Sequence, residues 1–403
     1  MSASTSDPAP QTPFGRLTRA HAASVAGDAF VTVSLAGSLF FTVPAASARP
    51  KVLLYLALTM LPFAVVAPLL GPAIDRTRGG RRLMFAVLLG ARAFVCLLMM
   101  RNLDSVLLFP EAFVMLVCAK AAMVVKSSLV PAVVPDEGRL VEANARLGVV
   151  SAIAGAAAGI PAAGLYKLFG TGAAPLAVGS VVFAIGVWLA FRIPTAAQVS
   201  AEPSEAARAE LKLPSVVLAS WAQAALRFGV GFLTFLVAFT LKREPIVFGV
   251  VIALAGIGSF IGTILAPPLR RRVREETIVV GSIIATAILV LFAARAGGGV
   301  GLGIAAFFVA VGSSTGKQAF DSIVQRDAPD AARGRTFARF EMIFQIAWVA
   351  GGLIPVMFAT ALDARIGLFV LAITLGAGAV FYSSGLYSRP PDARSGSAAP
   401  DAA

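Results

Sequence analysis

Apolar blocks about 20 residues long recur along nearly the whole chain, separated by short polar or basic stretches. A bilayer core about 30 Å thick needs about 20 such residues per helix. Lipid offers the backbone no hydrogen-bond partners, so each crossing segment must satisfy its own amides and carbonyls, as a helix does. Composition agrees: 58% of residues are hydrophobic and 14% charged, where soluble domains run near half and a quarter. The pattern predicts a polytopic helical membrane protein.

Twelve spans are predicted, at 20–43, 52–74, 83–101, 106–130, 143–169, 173–193, 214–240, 246–269, 277–295, 300–322, 336–360 and 365–387. Residues 1–19 and 388–403, rich in Pro, Ser, Ala and Asp, read as disordered tails. The polar stretch 194–213 reads as a linker between two six-helix halves, 20–193 and 214–387. Ala46-Ser47-Ala48 resembles a cleavage site, but the run before it is span-length and holds Asp28, so it reads as the first helix. Most of the 34 Lys and Arg fall in loops on one side, including Arg76, Arg78, Arg81, Arg82, Arg270, Arg271, Arg272 and Arg274. By the positive-inside rule this puts both tails in the cytoplasm. It also accounts for the net charge of +13 without nucleic acid. One offset, close to half the chain, carries Pro135-Asp136-Glu137-Gly138-Arg139 onto Pro329-Asp330-Ala331-Ala332-Arg333, and Pro161 onto Pro355. The halves therefore read as parallel repeats around a central cavity, an architecture that places a site at their interface.

Charged residues inside spans are costly and mark function by default. Asp28 lies in span one, Arg92 in span three, Lys120 and Lys126 in span four, Arg227 in span seven, and Lys317 and Asp321 in span ten. Lys317 and Asp321 stand four apart, where helix residues can pair. Asp28 and Arg227 have no partner on their own helices, so Asp28 is expected to meet Arg227 or a cation of span four. Lys126 can also snorkel to the membrane surface. His21, seven residues before Asp28, reads either as a proton relay or as a membrane-edge residue. Trp188, Trp221 and Trp348 suit interfacial or packing roles. Cys96 and Cys118 lie in apolar runs without ligand spacing, so neither metal nor cofactor is expected.

Between spans two and three stands GPAIDRTRGGRR, residues 71–82. It resembles the signature loop of the major facilitator superfamily, although Arg78 and Gly80 look like extra residues. The resemblance implies a cytoplasmic latch built from Gly71, Asp75, Arg76, Arg81 and Arg82. The alternative is an ordinary basic loop. The second-half copy has Leu269 where Asp75 would fall, so any latch is asymmetric. Span five carries GAAAGIPAAG, in which Gly155 and Gly159 form a GxxxG face and Pro161 predicts a kink. The stretch is similar to the glycine–proline motif of proton-coupled drug antiporters, with one extra residue before the proline; a plain packing face serves equally. Within the superfamily, AGDAFVTVSLAGSLFF, APLLGPAIDRTRGGRRLMFA, KSSLVPAVVPDEGRLVEANARLG and AALRFGVGFLTF resemble the bacterial lysophospholipid transporter family, covering a minor part of the chain. That closer resemblance implies movement of lyso-lipids between leaflets, with Asp28, Lys126 and Arg227 in a charged cavity and gate. The loop with Asn144 also resembles siderophore exporters.

The expected function is therefore alternating-access transport of an amphipathic small molecule or lipid by a monomer in the cell membrane, with a proton as candidate coupling ion. The alternative is proton-coupled export of drugs, siderophores or other metabolites. A membrane enzyme would need a nucleophile, base or metal constellation that one histidine and two apolar cysteines do not supply. A scaffold would gain little from costly intramembrane charge.

Overall fold

The computed structural model describes residues 12–38, 80–134, 136–194, 214–241, 243–327, 333–358 and 363–387. Among these residues every regular element is helical. The helices are α1 (Pro13–Ser38), α2 (Gly80–Arg101), α3 (Leu108–Val133), α4 (Leu140–Phe169), α5 (Ala173–Phe191), α6 (Pro214–Thr240), α7 (Pro245–Arg270), α8 (Glu275–Ala296), α9 (Gly298–Asp327), α10 (Arg333–Met357) and α11 (Ala364–Tyr387). Ten of these eleven are long and apolar enough to cross a membrane. The exception, α1, carries Arg16, Arg19 and Asp28. Span two and the loop residues Gly71, Asp75 and Arg76 lie outside the described residues.

Local rules account for several boundaries. Helices α1, α6 and α7 begin on proline, whose missing N–H costs nothing in a first turn. Helix α4 ends at Gly170, which takes a left-handed φ of 66° and donates its N–H to the Tyr166 carbonyl at 2.9 Å. Pro161 lies inside α4, which continues through it to Phe169.

The chain divides into two compact units. One comprises Met1–Leu211, Thr263–Pro268 and Asp321–Ile346; the other comprises Lys212–Gly262, Leu269–Phe320 and Ala347–Ala403. In the first unit α1 packs on α4 and α5, while α2 packs on α3 and α5. Its buried side chains include Phe85, Leu89, Phe183 and Arg92. In the second, α8 packs on α11 and α6 on both, around Leu226, Phe232, Leu236, Ile283, Val290, Leu302, Leu368 and Leu375.

Among the described residues, the GxxxG stripe of span five makes no tight approach to another helix. A Cβ on Gly159 would meet nothing within 4 Å, and one on Gly155 only Val25 at an ordinary 3.7 Å. Helix α4 instead buries Ala158 and Ala162 with Phe30 of α1. Among the described residues, the tightest approaches to another helix's backbone lie in the second unit. A Cβ on Gly231 would collide with the Trp348 carbonyl oxygen where α6 meets α10, and one on Gly258 or Gly262 with the Phe307 or Val311 carbonyl where α7 meets α9. In lipid, where apolar burial gives little drive, such backbone proximity is a main source of helix association.

Candidate functional site

In the first unit the acid of α1 is answered by α2. Asp28 Oδ1 accepts from Arg92 Nη2, so its partner is a cation of span three, not Arg227 or a lysine of span four. Arg92 is fully buried, whereas the Asp28 side chain is 40% exposed. Ser24, one turn before Asp28, accepts from Arg92 Nη1 through its hydroxyl at 2.8 Å. The Phe183 ring of α5 covers the guanidinium, with its centroid 4.2 Å from Cζ. Gly27 makes room for that ring: a Cβ there would stand 2.5 Å from Phe183 Cε1. Thus SVAGD (24–28) supplies an acceptor, a gap and a counter-charge to one buried cation. A buried pair holds only when further hydrogen bonds satisfy its polar atoms. Here Arg92 Nε stays without a partner.

His21 is brought to α4 rather than to Asp28. Its Nε2 lies 2.8 Å from Ser151 Oγ. The Ser151 hydroxyl donates to the Leu147 carbonyl, so it accepts from His21, which fixes the Nε2–H form.

A second polar cluster in this unit includes residues from α9. Asn144 Nδ2 donates to Gln325 Oε1 at 2.7 Å and reaches Ser322 Oγ at 3.3 Å. Gln325 Nε2 donates to the Ser127 carbonyl at 3.1 Å and to Asn144 Oδ1 at 3.2 Å. Asn144, Gln325, Ser322 and Ser127 are all buried. Their network is neutral, and no charge scan of the sequence finds it. Asn144 stood out only within a resemblance; Gln325 sits near the polar end of span ten.

In the second unit the cation of α6 is not answered in the same way. Among the described residues, Arg227 has no carboxylate partner, and its buried Nε has no hydrogen bond. One turn earlier, the fully buried Gln223 carries an Oε1 that is also unpartnered. Gln223 Nε2 makes a long 3.5 Å contact with the Ser313 carbonyl of α9. The small-residue run GSSTG (312–316) of α9 makes room for Gln223: a Cβ on Gly316 would lie 2.9 Å from Gln223 Oε1. On the same run, Thr315 donates to the Gly262 carbonyl at 2.9 Å and Ser314 pairs with Ser259 at 2.8 Å.

The remaining intramembrane charges are also located. Lys120 and Lys126 are half-buried on α3. On α9, Lys317 is half-buried and Asp321 buried. Of the expected latch, the described residues anchor helix ends. Arg81 Nη1 donates to the Ser128 carbonyl at 3.4 Å, and Arg82 Nη1 to the Phe191 and Ile193 carbonyls at 3.4 and 3.2 Å. In the second-half loop, Arg270 Nε donates to the buried Glu275 at 2.5 Å. That copy has its own local ion pair in place of an aspartate at Leu269.

The model of the Major Facilitator Superfamily matches residues 23–352. An uncharacterized protein of Mycobacterium leprae is 31% identical over 89% of this chain and 69% of its own length. An uncharacterized protein of Mycobacterium tuberculosis is 31% identical over 89% of this chain and 72% of its own. Among solved structures, the transporter FucP in its outward conformation superposes with a TM-score of 0.72 at 13% identity, covering 94% of this chain and 99% of that one. A bacterial homologue of the iron transporter ferroportin, outward-facing with soaked iron, gives 0.72 at 18%, covering 93% and 99%. The human organic anion transporter MFSD10 gives 0.71 at 14%, covering 93% and 100%. At these identities the structures speak for the fold. Helices of membrane-spanning length, costly charge held inside them and a family match over most of the chain converge: this chain is a multi-pass membrane protein that belongs to the Major Facilitator Superfamily.

Proposed function

We propose that the chain is a secondary transporter that works by alternating access and moves an amphipathic substrate with an anionic or zwitterionic headgroup, such as a lysophospholipid. The observation that carries this is the pair of buried, unpartnered polar atoms one turn apart on α6, Arg227 Nε and Gln223 Oε1. Leaving buried polar groups unsatisfied costs about 1–3 kcal/mol each, and more for a charged group. A substrate phosphate on Arg227 with a hydroxyl donating to Gln223 would offset that cost during transport. The proposal includes twelve spans in two repeated halves, both ends of the chain in the cytoplasm of a monomer, and a cell-membrane location. Asn144 and Gln325 suit the alternation. They join residues from the two sequence halves by neutral hydrogen bonds, which can part without exposing a naked charge to lipid.

A second reading, proton-coupled export of drugs, siderophores or other metabolites, is favoured by Asp28. A carboxylate 40% exposed beside a sealed arginine can bind and release a proton. One experiment separates the two: movement of headgroup-labelled lysophospholipid in proteoliposomes, with and without an imposed pH gradient. Gradient-independent movement supports the lipid reading. A well-folded preparation that moves no lysolipid overturns it, and gradient-driven flux of soluble amphiphiles would then establish the exporter.

A further inference from the structure

Three arginines converge where α1 begins, α2 begins and α5 ends. Arg16 Nη1 donates to the Arg192 carbonyl at 3.1 Å. Arg82 Nη1 donates to the carbonyls on either side, those of Phe191 and Ile193. The Arg192 guanidinium lies over the Trp188 ring, its Cζ 3.6 Å from the centroid. The three carbonyls are the open end of α5, which carries only about half a negative charge. Among the described residues no carboxylate pairs with Arg16, Arg82 or Arg192, and Arg82 Nε is buried without an acceptor. Other cations of this unit do reach a carboxylate. Arg139 and Arg146 share Glu142, and Arg92 has Asp28. What marks the end of α5 is that three such arginines meet at one place.

The surface beside it is apolar and exposed. From the arginines along α5 run Trp188, Ile185 and Val181, each about half exposed; along the adjoining α2 run Leu83 and Val87, also about half exposed. Nineteen residues of α5 rise about 28 Å, close to the thickness of a hydrocarbon core. Its last turn therefore lies at headgroup depth, where tryptophan is enriched. A chain-bearing molecule laid on this strip would put its head among the three guanidiniums, whose planar N–H groups match a phosphate.

We propose that Arg16, Arg82, Arg192 and Trp188 form a binding site for the phosphate headgroup of an anionic membrane phospholipid, with its acyl chains along the α2–α5 face. The two backbone-anchored arginines are held in place before the lipid arrives, and the stacked Arg192 closes over the headgroup. The site is separate from Arg227 and stands whether or not the chain carries lysolipids.

The test is native mass spectrometry of the full chain, delipidated in detergent and titrated with phosphatidylglycerol or phosphatidylcholine of identical chains. The wild type should retain phosphatidylglycerol with at least about fivefold preference, the effect of roughly one cation near an anionic headgroup. The preference should vanish in Arg16→Gln/Arg82→Gln/Arg192→Gln and persist in Arg139→Gln/Arg146→Gln. Equal retention of the two lipids by the wild type, or equal loss in both variants, would overturn the site. So would displacement of the bound lipid by millimolar inorganic phosphate, which would mark a soluble-anion site. A readout free of arginine variants uses Trp221→Phe/Trp348→Phe, in which Trp188 alone fluoresces. Brominated phosphatidylglycerol should quench it at a lower mole fraction than brominated phosphatidylcholine, and identical quenching curves would contradict the proposal.

Discussion

Helices α1 and α6 each carry one charge in the middle of an apolar run, and the two are treated in opposite ways. Asp28 meets a dedicated cation, Arg92, which is itself wrapped by Ser24 and Phe183. Arg227 meets no carboxylate among the described residues and, like Arg92, keeps a buried Nε without a hydrogen bond, but next to an orphaned Gln223. A charge paired inside its own unit stabilises that unit. A charge left open is a standing cost that only something arriving from outside can relieve. The contrast separates a structural ion pair from a candidate contact for substrate, a distinction that intramembrane position alone does not give.

The largest effect should come from splitting the answered pair. Removing one partner of a buried pair costs about 3–5 kcal/mol, so Asp28→Leu, which strands Arg92, should strongly lower the unfolding midpoint in detergent. The double change Asp28→Leu/Arg92→Met should recover most of it, because both charges leave together; a double variant as unstable as the single would break the structural reading of this pair. Next comes the packing that seals it. Gly27→Ala pushes a methyl into the Phe183 ring and should cost about 1–3 kcal/mol by overpacking. Gly159→Ala, with open space around it, should be neutral or stabilising. The order of these two midpoints is the check.

The unanswered charge should behave in reverse. Arg227→Gln should move the unfolding midpoint little while lowering transport at least about tenfold, equivalent to about 1.4 kcal/mol of lost interaction. A large stability loss without a transport defect would make Arg227 another structural residue. The smallest effect is expected of Gln223→Leu. It deletes an unsatisfied acceptor, so stability should hold or rise, with a several-fold loss of transport for substrates bearing a hydroxyl beside the phosphate. Unchanged rates for such substrates would remove Gln223 from the site.

The helical architecture was legible in the sequence because span-length apolar runs admit little else. Ten described helices long enough to cross a membrane fall where such runs were read. Boundaries held best where proline or glycine punctuates the chain, as at Pro214, Pro245 and Gly170. The partner of Asp28 was not legible. Spacing reveals same-helix pairs, whereas Arg92 reaches Asp28 through tertiary packing made possible by the missing side chain of Gly27. The contact of α4 with α1 was not legible for a related reason: small residues permit close approach but do not choose the neighbour, and Ala158 and Ala162 meet Phe30 there. The Asn144–Gln325 network was invisible to a search for charge because its members are neutral.

The most direct measurement is the rate at which headgroup-labelled lysophospholipid crosses proteoliposome membranes containing wild type, Arg227→Gln or Asp28→Leu/Arg92→Met, all verified as folded. A substrate contact at Arg227 predicts rapid movement in the wild type, its loss in Arg227→Gln, and substantial retention in the double variant that removes the structural pair. Undiminished movement in Arg227→Gln, or none in folded wild type, would contradict it.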